Sequence, residues 1–216
     1  MNNILEALEW RYAVKKFDDK ASLTEQQILE VKKVFNLSAS SYGLQPYKMI
    51  IVQNPELKEK LVAASFGQQQ ISQSAAILVF AVRTDFGMDY IDQYFEDMST
   101  KRQIPLENLE GYKNFMKGSF ANKSQEEIMS WSVNQVYLTM GHMLASLAAM
   151  KIDACPMEGL EPNAYDKILN LEAKQLKTII AMPIGVRATD DATASALKVR
   201  KDLSEIIIEL YFAVEY

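Results

Sequence analysis

The chain has 216 residues, 49% of them hydrophobic and 24% charged, with a formal net charge of −5. That length supports one large domain with a full core or two small ones, and the acidic balance argues against a general nucleic-acid surface. A single cysteine, Cys155, excludes an intramolecular disulfide and a four-cysteine metal site, and a single histidine, His142, argues against a histidine-based metal centre.

The first residues carry neither a basic region nor an apolar stretch of the kind that starts a secretory signal, so the expected location is the cytoplasm. Ile4, Leu5, Leu8 and Trp10 recur at near-helical spacing and predict a short amphipathic helix. Arg11 and Lys15 follow, four residues apart. Thr24-Glu-Gln-Gln27 is a capping box, opening a helix through Phe35 with Ile28, Val31, Val34 and Phe35 inward. Residues 38–46 are loop by composition. Tyr47 to Gln53 is strand-like, and Asn54-Pro55 starts another helix with proline at its first position. Ala76 to Arg83 is a continuous apolar run, hence a buried strand.

Between Asp85 and Lys123, aromatics and charges alternate without a clear stop, which we read as one or two helices and a candidate mobile lid. Ser124-Gln-Glu-Glu127 then caps a helix predicted to run to Met150, roughly 40 Å at about 1.5 Å per residue. Its apolar residues do not keep to one stripe, so it is expected to be buried on most sides, at the centre of the domain or at a subunit interface. Ser130, Ser132, Asn134 and Gln135 interrupt any run long enough for a bilayer span. A short strand and a Pro/Gly loop follow at 152–159, then an apolar strand at 179–186. The tail from Leu203 onward, with Ile206, Ile207, Ile208, Tyr211 and Phe212, needs cover from its own domain or a second subunit. Strands separated by helices imply an α/β or α+β sandwich. With no internal repeat or linker, one domain spanning 1–216 is the economical reading.

No Ser-His-Asp or Cys-His arrangement is available, because His142 stands mid-helix without an obvious partner. No glycine-rich dinucleotide or phosphate-loop motif occurs. What remains is a dispersed set of anion-binding and hydrogen-bonding groups. Arg11 with Lys15, and Lys198 with Arg200, are two cation pairs able to clamp a phosphate. Ser40, Ser41 and Gly43 offer hydroxyls and backbone amides in a loop, and Pro156 to Gly159 offers amides at a strand end, where α/β proteins tend to hold ligands.

Five motifs stand in order: Arg11-x-x-x-Lys15-x-Phe17-Asp18, Ser40-Ser41-x-Gly43-x-Gln45-Pro46-Tyr47, Gln135-Val136-Tyr137-Leu138-x-x-Gly141, Pro156-Met157-Glu158-Gly159 and Lys198-x-Arg200. Together they resemble the FMN-dependent nitroreductase family, most of all its oxygen-insensitive NAD(P)H nitroreductase and dihydropteridine reductase branch. The resemblance implies an α+β fold: a three-layer α/β/α sandwich on a mixed, mainly antiparallel sheet, assembled as an intertwined homodimer with two FMN sites. It implies that Arg11, Lys198 and Arg200 hold the FMN phosphate and that Lys15 lies at the pyrimidine edge of the flavin. Tyr12 and Ala13 fall within the same motif, Ala13 acting through its backbone because many members carry serine there.

By the same resemblance, Ser40, Ser41 and Gly43 (asparagine in other members) come from the second subunit, and Gln135 lies near the flavin and ribityl chain. Pro156, Met157, Glu158 and Gly159 lie against the isoalloxazine, with the Glu158 N–H toward N5. Gln70 stands where some relatives use lysine for flavin and nicotinamide contacts, and Tyr42, Phe115 and Phe120 are candidates for the substrate side. The implied activity is NAD(P)H-dependent reduction of nitroaromatics or quinones in a ping-pong cycle, with no side chain as nucleophile and no metal, membrane or nucleic-acid partner. The alternatives are a relative of the same fold with a narrow substrate, and a binding or regulatory protein without cofactor.

Overall fold

A computed structural model describes residues 4–210; Tyr211 and Phe212 of the apolar tail lie outside the described residues. The sheet has four strands in the order β1-β2-β4-β3: β1 (Tyr47–Val52), β2 (Ala76–Arg83), β3 (Asp153–Ala154) and β4 (Leu176–Gly185). All three pairings are antiparallel, and one parallel bridge, Ala13 to Ala154, makes the sheet mixed. β4 begins three residues before the apolar run from Ile179, because Leu176 and Thr178 are also buried.

β2 decides the layering. Every residue from Ala76 to Val82 is buried, as a central strand covered on both faces requires. Successive side chains point to opposite faces, so Ala76, Leu78, Phe80 and Val82 fill one core while Ile77 and Val79 fill another. The first core is covered by α2 (Glu25–Leu37) and α7 (Gln125–Ala149), through Ile28, Val31, Val136, Met143 and Leu147. The second is covered by α3 (Pro55–Ala63), the short α4 (Gln70–Gln73) and α8 (Pro162–Leu169), through Leu61, Val62, Ile71 and Tyr165. Helix, sheet, helix is the expected three-layer order. Each such large apolar side chain contributes about 1.5–3 kcal/mol on full burial.

α8 has no counterpart in the sequence reading, although Pro162 opens it and Tyr165, Ile168 and Leu169 share a face at helical spacing. The 85–123 segment resolves into two helices, α5 (Met88–Arg102) and α6 (Glu110–Ala121), joined by a 3-10 turn at Leu106–Leu109. They close a third core from Leu44, Phe86, Ile91, Phe95, Met116, Phe120 and Ile128. Asp92 on α5 binds Lys117 and Lys113 of α6 at 2.6 and 3.6 Å.

Both capping boxes form: Thr24 Oγ1 accepts from Gln27 N at 3.1 Å and Ser124 Oγ from Glu127 N at 3.2 Å. α7 is buried on most sides but not all. Within one chain Asn134, Tyr137, Leu138, Gly141 and His142 form an exposed face. His142 does have a partner, since its Nδ1 lies 2.7 Å from Ser38 Oγ across to the end of α2. α1 (Ile4–Trp10) packs on α7 but leaves Ile4, Leu5 and Leu8 open. Among the described residues the tail is not covered by its own chain: Leu203, Ile206, Ile207, Ile208 and Leu210 are exposed around the single turn of α9 (Leu203–Ile206).

Candidate functional site

After Trp10 the chain leaves helical geometry and meets the sheet edge through single bridges, Ala13 to Ala154 and Phe17 to Arg187. Val14 and Phe17 are buried, and Arg11 and Lys15 lie toward Cys155, the residue after β3. Lys15 Nζ lies 4.0 Å from Cys155 Sγ. The thiol is fully buried, and burial raises its pKa against the opposing pull of Lys15 and Gln70. Cys155 is thus a floor beneath exposed cations.

Arg11, Lys198 and Arg200 converge. Burial lowers the Arg11 pKa and Arg200 lowers it further. The Lys198 ammonium is depressed by what burial it has and then by Arg11, Arg200 and Arg187. Lys198 Nζ donates to the Glu9 carbonyl, and Arg200 Nη1 donates to the Val199 carbonyl at 2.7 Å. Among the described residues none of Arg11, Lys15, Lys198 and Arg200 forms an ion pair with a carboxylate. Like charges gathered without counter-charge are a site for an anion.

Two acidic residues that the sequence reading passed over brace the segments around these cations. Asp191, buried in the loop after β4, accepts from Lys15 N (3.0 Å), Lys16 N (3.3 Å), Tyr12 Oη (3.0 Å), Thr193 N (3.0 Å) and Thr193 Oγ1 (2.7 Å). Burial alone would raise its pKa, but the bonds from Thr193, Lys15 and Tyr12 win and hold it far below the usual carboxylate range. Tyr12 is pushed up to about 12, by burial and then by Asp191. Asp153 on β3 accepts from Arg187 N and Nε at 2.8 Å each and pairs with Nη2 at 2.5 Å. The Arg187 guanidinium lies 4.1 Å from the Trp10 ring and 4.5 Å from the Tyr12 ring. The polar loop Thr189-Asp190-Asp191-Ala192-Thr193 was the only signal for Asp191.

The depressed Asp191 makes a pH prediction. A carboxylate whose folded pKa lies below its unfolded value of about 3.9 adds stability above that pH, which is lost as pH falls further. Asp191→Asn is expected to be about 2 kcal/mol less stable than wild type near neutrality, from the weight of charge-assisted hydrogen bonds. The gap should close below about pH 4, read from thermal unfolding of both proteins across pH. A gap independent of pH would refute the ionic role.

The Pro156–Gly159 loop borders the cation cluster. Met157 N donates to Ala181 O at 2.8 Å, fixing the loop to β4. The Glu158 carboxylate accepts from Tyr137 Oη of α7 at 2.7 Å, which pushes Tyr137 up to about 12. Among the described residues the Glu158 N–H has no acceptor. Gln68 Nε2 donates to the Gly159 carbonyl at 2.8 Å and Gln70 Nε2 to Gln68 Oε1 at 3.0 Å, so Gln70, itself buried, reaches the loop through Gln68. Phe66, also unremarked in the sequence, is 66% exposed at φ +55° beside Gly159.

A second group forms elsewhere. Gln135 Oε1 of α7 accepts from Ser41 N at 2.7 Å, Ser40 Oγ from Gln45 N at 3.0 Å, and Gly43 N donates to Ser40 O at 2.9 Å. The Tyr42 ring stands edge-on to Phe120, 6.3 Å between centroids. Phe120 is buried against Phe86 and Trp131, whereas Phe115 is exposed on α6. No hydrogen bond, ion pair or ring contact joins the two groups among the described residues. The first gathers Arg11, Tyr12, Ala13, Lys15, Gln70, Pro156, Met157, Glu158, Gly159, Lys198 and Arg200. The second gathers Ser40, Ser41, Tyr42, Gly43, Gln135 and Phe120. Among the described residues no cluster of His, Cys, Asp or Glu is placed to hold a metal, and no helix is long and apolar enough to cross a membrane.

The chain is 28% identical over 211 residues to a Bacillus subtilis protein provisionally named NAD(P)H nitroreductase YfkO, covering 90% of this chain and 94% of that one. It is 27% identical over 211 residues to the major NAD(P)H-flavin oxidoreductase of Aliivibrio fischeri, covering 94% and 97%. A provisionally assigned nitroreductase from Exiguobacterium sibiricum, solved in complex with FMN, superposes with a TM-score of 0.83 at 18% identity over 97% of this chain and 98% of that one. That likeness establishes the fold. The profile of the nitroreductase family matches residues 8–186, more than half of the chain. This chain therefore belongs to the nitroreductase family.

Proposed function

We propose that the protein is an FMN-dependent NAD(P)H oxidoreductase acting on nitroaromatics or quinones, that residues 1–216 form one FMN-binding domain, and that two copies complete each site. The observation that carries this is the unneutralised trio Arg11, Lys198 and Arg200 next to a loop whose Glu158 N–H is a free donor. A phosphate monoester supplies the missing negative charge, and a flavin ring nitrogen is an acceptor for that N–H. The relatives' names, NAD(P)H nitroreductase and NAD(P)H-flavin oxidoreductase, and the FMN-bound neighbour support the same assignment. Bound FMN would supply the redox chemistry, taking reducing equivalents from NAD(P)H and passing them to the acceptor.

The chain's own residues bind, orient and tune. Arg11, Lys198 and Arg200 would anchor the phosphate; Lys15, held by Asp191 through its backbone, would place a cation beside the ring, favouring negative charge there. Tyr137 restrains Glu158, so the amide that would meet the ring has a fixed direction. No buried acid or nucleophile is needed. Since Ser40–Gly43 makes no contact with this cluster in one chain, it would serve the partner's site. Such an arrangement would also cover Leu138 of α7, Ile4 and Leu8 of α1, and Leu203, Ile206, Ile208 and Leu210 of the tail, which are exposed in a single chain.

The test is the visible spectrum of the purified protein before and after anaerobic NADH or NADPH. We expect a flavin spectrum that bleaches, faster with the preferred donor. A colourless protein that takes up no added FMN would sink the proposal.

A further inference from the structure

The loop before β1 is built from conformations that side chains disfavour. Tyr42, Gly43 and Gln45 have φ of +58°, +73° and +44°. For Tyr42 and Gln45 that region is costly and persists only where surrounding groups over-determine it. The groups that do so come from α5. Tyr94 Oη donates to the Tyr42 carbonyl at 2.8 Å, and Tyr90 Oη lies 2.8 Å from the Leu44 carbonyl and 3.0 Å from that of Gln45. Three carbonyls of the strained turn thus meet two hydroxyls one helical turn apart on α5. α5 is itself fixed, by Ile91 and Phe95 in the third core and by the ion pair of Asp92 with Lys117 of α6.

Gly43 answers to the same contact. A Cβ on Gly43 would stand 3.0 Å from Tyr94 Oη but 3.8 Å from the ring carbon bearing it. The hydroxyl therefore occupies the space that a side chain at 43 would use. The other side of the loop is pinned by Gln135 through Ser41 N, so the direction of the Tyr42 ring is set between α5 and α7.

We propose that Tyr94 and Tyr90 are positioning residues for the electron acceptor, holding the turn so that Tyr42 stands at a fixed place beside an aromatic substrate. The inference rests on the flavoprotein reading above and adds to it: α5, remote in sequence from every cofactor motif, determines which acceptor fits.

The experiment compares wild type, Tyr94→Phe, Tyr90→Phe and, as control, Tyr112→Phe, an α6 tyrosine that packs on Phe95 through its ring. Steady-state kinetics would use p-nitrobenzoate and 1,4-benzoquinone as acceptors, with stopped-flow reduction of the bound flavin by NAD(P)H as a second readout. Loss of one neutral hydrogen bond corresponds to about a fivefold effect, so KM for the acceptor is expected to rise by about that factor in Tyr94→Phe and more in Tyr90→Phe. The limiting rate of flavin reduction at saturating NAD(P)H should stay within about twofold, since the turn orients what lies over the flavin and supplies no group to the hydride step. Tyr112→Phe should match wild type. Gly43→Ala should raise the acceptor KM less in the Tyr94→Phe background than alone, because the clashing atom is gone.

Unchanged KM in both α5 variants, or strict additivity of Gly43→Ala with Tyr94→Phe, would overturn the proposal while leaving the oxidoreductase intact. Equal losses in both half-reactions would make the contact merely structural and overturn it likewise. A wild-type protein that takes up no FMN would remove both readings together.

Discussion

Arg11→Ala is expected to raise the FMN dissociation constant about a hundredfold, equivalent to about 2.7 kcal/mol and within the range for bidentate, charge-assisted hydrogen bonds. Fluorescence titration of the cofactor-free protein would read it. The sign of the accompanying stability change distinguishes a binding role from a structural one. In the chain itself Arg11 faces Arg200 and Lys198, all unpaired with carboxylates. Removing it relieves repulsion, so the cofactor-free variant should melt no lower than wild type. With excess FMN the order should reverse, because ligand stabilisation scales with the logarithm of affinity. Arg11→Lys keeps charge without the fork and should fall between. An unchanged dissociation constant in Arg11→Ala would remove the phosphate assignment.

Asp153→Ala should be among the most damaging single substitutions, costing about 3–5 kcal/mol, because it strands a partly buried guanidinium. Arg187 would keep its place between the Trp10 and Tyr12 rings but lose three contacts at once. For a chain of this length the melting temperature should fall by roughly 6–20 °C. Asp153→Ala with Arg187→Met should recover much of that loss, since the uncompensated charge is gone. Equal destabilisation by the single and double changes would show that packing, not charge, governs the position. The pair lies one bridge away from Ala13, so FMN affinity should fall together with stability in the single variant.

The fold was legible wherever one physical signal dominated locally. Two capping boxes announced α2 and α7, and an unbroken apolar run announced β2. Less was legible where the signal depends on distant partners. β4 extends past its apolar run because Thr178 is buried by bonding Asp166 of α8, at 2.6 Å from hydroxyl to carboxylate. α7 carries apolar residues such as Leu138 on a face that is exposed in one chain, and periodicity does not separate such positions from the buried ones. Among site residues, the motif positions were visible as an ordered set, whereas Asp191 and Asp153 were not. Asp153 binds Arg187, and Asp191 binds Tyr12, Lys15 and Lys16 from the other end of the chain; an aspartate reads the same in the sequence whether it meets such donors or water. Phe66 was hidden for a related reason: its left-handed backbone, which turns it out beside Gly159, leaves no mark on composition.

The cation cluster is assembled from the two ends of the chain. Tyr12 meets Asp191, Lys198 meets Glu9, and Arg11 faces Arg200, contacts spanning nearly 180 residues or more. β4 ends at Gly185, so all strands of the sheet have been synthesised before the 191–200 segment leaves the ribosome. Arg11 and Lys15 are thus made long before the loop whose Asp191 braces them, and the cluster closes only when both ends of the chain are present. Contacts so distant in sequence form slowly compared with the local turns of the capped helices, so the cation cluster is a late product of folding.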